Sequence, residues 1–247
     1  MSKLVVLASD DAEDSGLLYW QEENDDTQHY VVPDDIVDLS FKVRCASLPL
    51  DHAYGLSAVL HDALPWLEEE DRAGIHLIHG AESGNGWMRP QGPQDILYLS
   101  RRTRMTLRLP SARAEEAKVL QGKTLDVAGN ALTLGEASVR PLSMIGTVFS
   151  RYVIAEEIEN EAAFLDEAAR MLRQELGIHV KKMLSGRMQN LAFPEGDIRT
   201  RSLMIDGLDM SESIKLQQQG LGPGRKVGCG LFLPHKGIEA VSKTQGE

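Results

Sequence analysis

The sequence predicts an α+β protein. A ferredoxin-like order of elements runs over residues 36–140, a degenerate version of it over residues 141–247, and a glycine-rich loop lies near the C-terminal end. Three observations carry this. The first stretch alternates strand and helix periodicities in the order strand, helix, strand, strand, helix, strand. The second reads strand, helix, strand, short helix, loop, strand, with no sequence repeat between the halves. In the loop, five glycines and a proline fall within Gly220–Gly230, a density that excludes helix.

Residues 1–35 open with a short apolar run, Leu4 to Ala8, then turn acidic, and read as an N-terminal extension. Ile36 to Arg44 is a half-buried strand, with Leu39, Phe41 and Val43 on one face and Ser40, Lys42 and Arg44 on the other. Asp51 is the expected N-cap of a helix whose apolar positions are Tyr54, Leu56, Val59, Leu60, Ala63 and Leu64, ended by Pro65. Gly74 to Gly80 is a short strand, Ala81 to Gln94 a loop rich in Gly and Pro, and Ile96 to Ser100 a strand. A basic turn, Arg101-Arg102-Thr103-Arg104, leads into a strand carrying Met105, Leu107 and Leu109. Ser111 is the expected cap of a helix through Leu120, with Glu115 and Glu116 in its early turns. Thr124–Val127 and Ala131–Leu134 flank Gly129-Asn130 as a hairpin. Two strands beyond the ferredoxin-like set are expected at the edge of this unit.

In the second half, Met144, Val148, Tyr152 and Ile154 are the apolar positions of a strand segment within residues 141–156. Glu161 to Leu176 is an amphipathic helix that Gly177 ends. Val180 to Asn190 is a basic loop or strand, and Arg199 to Leu208 alternates as a strand. Ser211 is expected to cap a short helix, Ser213 to Gln219, and the apolar run Val227 to Leu233 reads as the last strand.

Apolar residues make up 42% of the chain, enough for a proper core, and no run reaches the length of a membrane span. The two cysteines, Cys45 and Cys229, fit a reducing, cytoplasmic setting without disulfides. No spacing of ligand residues resembles a metal site, and no cofactor is expected. The net charge of −11 argues against a nucleic-acid partner until its distribution is considered. Asp10 to Asp38 holds eleven acidic residues and no Lys or Arg. Setting these and Lys3 aside leaves 25 basic and 26 acidic residues, a net charge of −1.

Glycines packed this densely let backbone N–H groups approach an anion, and Arg225 and Lys226 at the tip supply two cations. The stretch is neither a P-loop nor a dinucleotide fingerprint, because a proline and a strand follow where those motifs open a helix. Its spacing is the informative part: Gly220-Leu221-Gly222, five residues containing Arg225 and Lys226, then Gly228-Cys229-Gly230. This resembles the signature loop of the CRISPR repeat-processing endoribonucleases of the RAMP superfamily. Ser213 to Gly222, Leu48 to Leu56 and Gly74 to Gly80 resemble the Myxococcus-type branch of that family, and the likeness extends over Ile36 to Pro234.

The resemblance implies two tandem ferredoxin-like (RRM-like) domains, with the glycine loop packed near the first helix. It also implies metal-independent cleavage of precursor CRISPR RNA within each repeat, by attack of the neighbouring 2′-hydroxyl. The products are a 2′,3′-cyclic phosphate and a 5′-hydroxyl, and the cut repeat is kept in a complex with other CRISPR effector subunits. The alternative is a repeat-RNA-binding or scaffold subunit that does not cut.

Such cleavage needs a base, an acid and a cation. His52, at the start of the first predicted helix, is the first candidate, since the family often places its catalytic histidine there, while other branches carry it deeper in this helix. His61 is the rival, and about two and a half turns of helix between them put the two on opposite sides. Tyr54 is a candidate for holding substrate or donating a proton. His76 and His79, three apart on a strand, point to opposite faces. For RNA contact the loop offers Gly220, Gly222, Arg225, Lys226, Gly228 and Gly230, and Arg101, Arg102, Arg104, Lys181, Lys182 and Arg187 are candidates for following the phosphates.

Overall fold

The computed structural model describes residues 30–79, 96–156, 158 and 160–235. The Leu4–Ala8 run, nearly all of the acidic extension and the predicted loop at Ala81–Gln94 lie outside them. The described residues from 32 onward belong to one compact unit, which holds both larger sheets.

The first half contributes β1 (Ile36–Arg44), β2 (Ser47–Pro49), α1 (Ala53–Ala63), β3 (Gly74–His76), β4 (Ile96–Tyr98), β5 (Arg104–Pro110), α2 (Ala114–Ala117), β6 (Thr124–Val127) and β7 (Asn130–Arg140). The second contributes β8 (Val148–Ile154), α3 (Glu161–Leu176), β9 (Lys182–Leu191), β10 (Ile198–Asp206), α4 (Met210–Gln219) and β11 (Leu233–Pro234). One sheet has the order β3-β5-β1-β7-β6 and the other β11-β8-β10-β9. In each, the strand that opens the unit lies inside, between the third and the last strand of a βαββαβ run. That is the ferredoxin-like arrangement twice. One strand beyond the set, β6, extends the first sheet at its edge; β2 and β4 instead pair with each other as a separate ribbon.

Local chemistry explains most boundaries. On β1, Leu39 and Phe41 are wholly buried beneath α1, whose Leu56 and Leu60 face them. Ser40 on the opposite face is also buried, because the second half covers that side. Asn160 caps α3 by accepting the Ala163 N–H at 2.7 Å, and Gly177, at φ 67°, ends it.

Several expectations differ from the structure. Asp209, not Ser211, caps α4, in a reciprocal box with Glu212. Asp51 does not cap α1; its carboxylate accepts the Ala192 N–H at 2.6 Å from the turn between β9 and β10. Ser111 caps nothing, and the helix predicted to Leu120 is a chain of short turns around α2. The hairpin turns at Ala128 and Gly129, both at positive φ, one residue earlier than expected. The run Val227 to Leu233 is not a strand: Arg225–Val227 form a 3₁₀ turn and only Leu233–Pro234 pair with β8. Burial of Leu231 and Phe232 accounts for the apolar signal there.

Arg108 on β5 joins the two halves and is fully buried. Its Nε and Nη2 donate to both oxygens of Asp38 at 2.8 and 2.9 Å. Its Nη1 donates to the carbonyls of Gln217 and Phe232, in the second half, at 2.9 and 2.8 Å. Burial alone would raise the Asp38 carboxyl, but Arg108 and His76 outweigh it and hold that group well below the usual carboxylate range. Burial lowers the His76 imidazole, against the pull of Asp38. Among the described residues no helix is long and apolar enough to cross a membrane.

Candidate active site

The two ends of α1 are different environments. At its N-terminal end His52 is 2% exposed. The Ile78 N–H donates to His52 Nε2 at 3.0 Å, so the ring proton sits on Nδ1, which donates to the Pro49 carbonyl at 2.9 Å. Both nitrogens are thus engaged in joining β2, α1 and the chain after β3. Tyr54 is half exposed and packs edge-on to Phe193 at 5.6 Å, beyond the end of β9.

At the other end, His61 is partly open, its side chain 22% exposed. Its Nδ1–H donates to the Ser57 carbonyl at 2.8 Å, with the Ser57 hydroxyl 3.3 Å away. Its Nε2 faces outward, 3.5 Å from a Glu68 carboxylate oxygen. Glu68 follows the short Pro65–Leu67 turn after α1, and Lys226 Nζ donates to its backbone carbonyl. Ser57 Oγ donates to the Lys226 carbonyl at 2.8 Å. A histidine, a lysine and a carboxylate therefore meet where the glycine loop packs on α1.

Much of the loop's backbone is engaged within the protein. Gly220, Leu221, Val227, Gly228, Cys229 and Gly230 all donate their N–H groups within the protein. Gly220, Gly228 and Gly230 are buried and Gly222 is partly so. A Cβ on Gly228 would come within 2.4 Å of Leu77, and one on Gly230 within 2.3 Å of the Leu221 carbonyl. The glycines shape the loop and let it pack. Its two cations also separate. Arg225 turns back, Nη2 donating to the Arg72 carbonyl at 3.0 Å, and burial, with Arg108 nearby, lowers it to about 10. Lys226 reaches the site.

The other predicted cations lie elsewhere. Arg101 and Arg102 are exposed in the turn before β5, and Arg104 Nη1 donates to the carbonyls of Arg101 and Thr103. Lys181, Lys182 and Arg187 are exposed on or next to the edge strand β9. Arg104 also lines a cleft of about 360 Å³ with His76, His79 and Arg140. That cleft adjoins one of about 340 Å³ lined by Phe149, Arg151, Tyr152 and His235. His76 and His79 line both, because β3 stops at His76 and strand alternation no longer applies. Among the described residues no three of His, Cys, Asp and Glu converge as metal ligands would. Sequence reasoning did not find Ser57 or Glu68. Ser57, four residues before His61, was legible only as its neighbour on the helix.

Comparison with known proteins adds to this geometry. A family model described as Cas6 Crispr matches residues 37–237. A CRISPR-associated endonuclease Cas6 from Myxococcus xanthus is 34% identical over 198 residues, covering 80% of this chain and 81% of that protein. Two solved structures share the fold: a CRISPR associated protein Cas6, at TM-score 0.55 and 11% identity, and an RAMP protein binding different RNA substrates, at 0.56 and 14%. Each covers 81% of this chain and is itself covered completely.

Proposed function

The chain belongs to the Cas6 family, and from that premise we propose that it cleaves precursor CRISPR RNA within its repeats, without a metal, at the junction of α1 and the glycine loop. The observation that carries this is the meeting of His61 Nε2, Glu68 and Lys226 at one accessible place. The 34% identity to a protein named as an endonuclease supports the activity.

In the neutral ring of His61 the proton is on Nδ1, so Nε2 carries the lone pair. It takes the proton of the 2′-hydroxyl as O2′ bonds to the adjacent phosphorus. The bond from phosphorus to the 5′-oxygen breaks, and the imidazolium returns that proton to the leaving oxygen. His61 ends neutral, and the products carry a 2′,3′-cyclic phosphate and a 5′-hydroxyl. The Lys226 ammonium stabilises the charge that gathers on the phosphoryl oxygens. Tyr54 lies about 10 Å from His61 along the helix axis and on the same side, where it meets RNA away from the bond that breaks. Arg101, Arg102, Arg104, Lys181, Lys182 and Arg187 follow the phosphates, and Gly220, Gly222, Gly228 and Gly230 serve RNA binding by shaping the loop that presents Lys226. His52, engaged at both nitrogens, is not the proton carrier in this reading. After cutting, the protein keeps the repeat in an effector complex.

The test is incubation of purified protein with a cognate repeat RNA in EDTA, with the product termini analysed. Cutting to a cyclic phosphate by wild type and His52→Ala, but not His61→Ala, is expected. Binding without cutting by the wild type makes the protein a repeat-binding subunit instead. Cutting by His61→Ala moves the site elsewhere.

A further inference from the structure

We infer that Ser57 is a positioning residue for this cleavage: its hydroxyl holds Lys226 at the height of His61 and adds a second acceptor to the backbone carbonyl that already keeps the proton on His61 Nδ1. The inference rests on the cleavage reading given above.

Ser57 is 7% exposed and lies one helical turn before His61. Its hydroxyl has one proton, and the Lys226 carbonyl 2.8 Å away receives it. Toward His61 Nδ1, at 3.3 Å, the same oxygen is then left only as an acceptor. The Ser57 carbonyl, 2.8 Å from Nδ1, is an acceptor in any case. Two acceptors against one ring nitrogen place a proton on Nδ1, and in the neutral ring this leaves the lone pair on Nε2, beside the Glu68 carboxylate that would stabilise the imidazolium once that nitrogen takes a proton.

The same hydroxyl sets the loop. The turn Arg225–Val227 is tied by its side chains to the stretch just after α1, through Arg225 to the Arg72 carbonyl and Lys226 to the Glu68 carbonyl. Those long side chains hold the turn less closely than a bond to its own backbone does. The bond from Ser57 fixes the backbone at Lys226 itself, joining residues 169 positions apart in sequence. Alanine at position 57 removes this bond and leaves the Lys226 carbonyl without that donor, while the Ser57 backbone contact to His61 stays. The lysine would lose its register with the histidine, and the histidine would keep only one of its two acceptors.

The experiment is a double-mutant cycle on single-turnover cleavage of repeat RNA, with RNA affinity and thermal unfolding measured on every variant. Lys226→Ala keeps the backbone carbonyl that Ser57 holds and removes the ammonium together with its tie to the Glu68 carbonyl. In the wild-type background Ser57→Ala is expected to slow cleavage roughly 10- to 100-fold, the scale of a misplaced catalytic group, with RNA affinity within about threefold. In the Lys226→Ala background the same change is expected to slow it less than about threefold, because the ammonium it positions is gone. An equal factor in both backgrounds makes Ser57 a packing residue and overturns the inference alone. A wild type that binds RNA and does not cut overturns the cleavage reading. Nitrogen-15 NMR of the His61 ring in the wild-type protein is independent of cutting and of the variants' folding. A proton on Nδ1 is expected, and a proton on Nε2 of the neutral ring overturns the inference.

Discussion

His52 and His61 sit at opposite ends of one helix and show what separates a histidine that holds a structure from one that works on a substrate. His52 is buried, and each of its nitrogens meets a backbone group of a different segment. It can neither gain nor lose a proton without breaking a bond that the fold uses. His61 spends only Nδ1 on the helix and leaves Nε2 outward. The glycine loop repeats the contrast in its two cations: Arg225 is turned inward onto a carbonyl, and Lys226 reaches the edge of the site. Proximity in sequence fails in both cases to tell the partners apart. What tells the histidines apart is how many ring nitrogens the fold engages, and what tells the cations apart is burial, since Arg225 Nε and Nη1 are buried.

Four measurements break or sharpen this contrast. The largest effect is expected for His61→Ala, with cleavage of repeat RNA slowed about 10²- to 10⁴-fold, the usual worth of a proton-transferring group. Its unfolding midpoint should stay close to wild type, since the ring is partly exposed; a large drop in stability would make His61 a second structural histidine. Next, Arg108→Met leaves Asp38 buried without its cation and should lower unfolding stability by about 3–5 kcal/mol in urea titrations. His52→Ala should cost about 1–3 kcal/mol for the orphaned Ile78 N–H and Pro49 carbonyl. Measured below its unfolding midpoint, that variant should cut within a few-fold of wild type, and loss of cutting in a fully folded sample would reverse the assignment of the two histidines.

The smallest effect is a pH dependence of stability. The native His76 imidazole is lowered below its ordinary value by burial, so the unfolded chain binds that proton first. Stability from this group is complete above the unfolded value and falls as the solution is acidified through it, by at most about 1.4 kcal/mol per pH unit. Asp38, also lowered in the native state, adds a loss in the same direction at more acid pH. Thermal unfolding of His76→Gln should show a flatter profile between neutral pH and pH 5, and an unchanged profile would assign the slope to other groups.

Much of the fold was legible because its signals are local. Strand alternation over Ile36–Arg44 and helical periodicity over Glu161–Leu176 gave boundaries that agree with β1 and α3 to the residue. The caps at Asp51, Ser111 and Ser211 were misread because a polar side chain next to a helix start can be drawn elsewhere, as Asp51 is by Ala192. The glycine spacing marked the loop but not its direction. Glycine spacing says nothing of which N–H groups the fold itself uses, and six of those in the loop donate within the protein. His61 was visible as a rival to His52, whereas its partners Ser57 and Glu68 were not: a serine inside a helix and a glutamate in an acidic run have no pattern that marks a link to residue 226.

Arg108 has a consequence for how the protein is made. Its side chain is buried in the first sheet, yet two of the acceptors that satisfy it are carbonyls at residues 217 and 232. A chain emerging from the ribosome has β1, β5 and Asp38 available long before those carbonyls exist. Until they arrive, the first sheet carries a guanidinium that only Asp38 and water can satisfy, so the polar face around Ser40 must stay wet. The buried polar face of the amino-terminal half is therefore complete only once the carboxyl-terminal segment is in place, and the glycine loop lies between the two carbonyls that complete it.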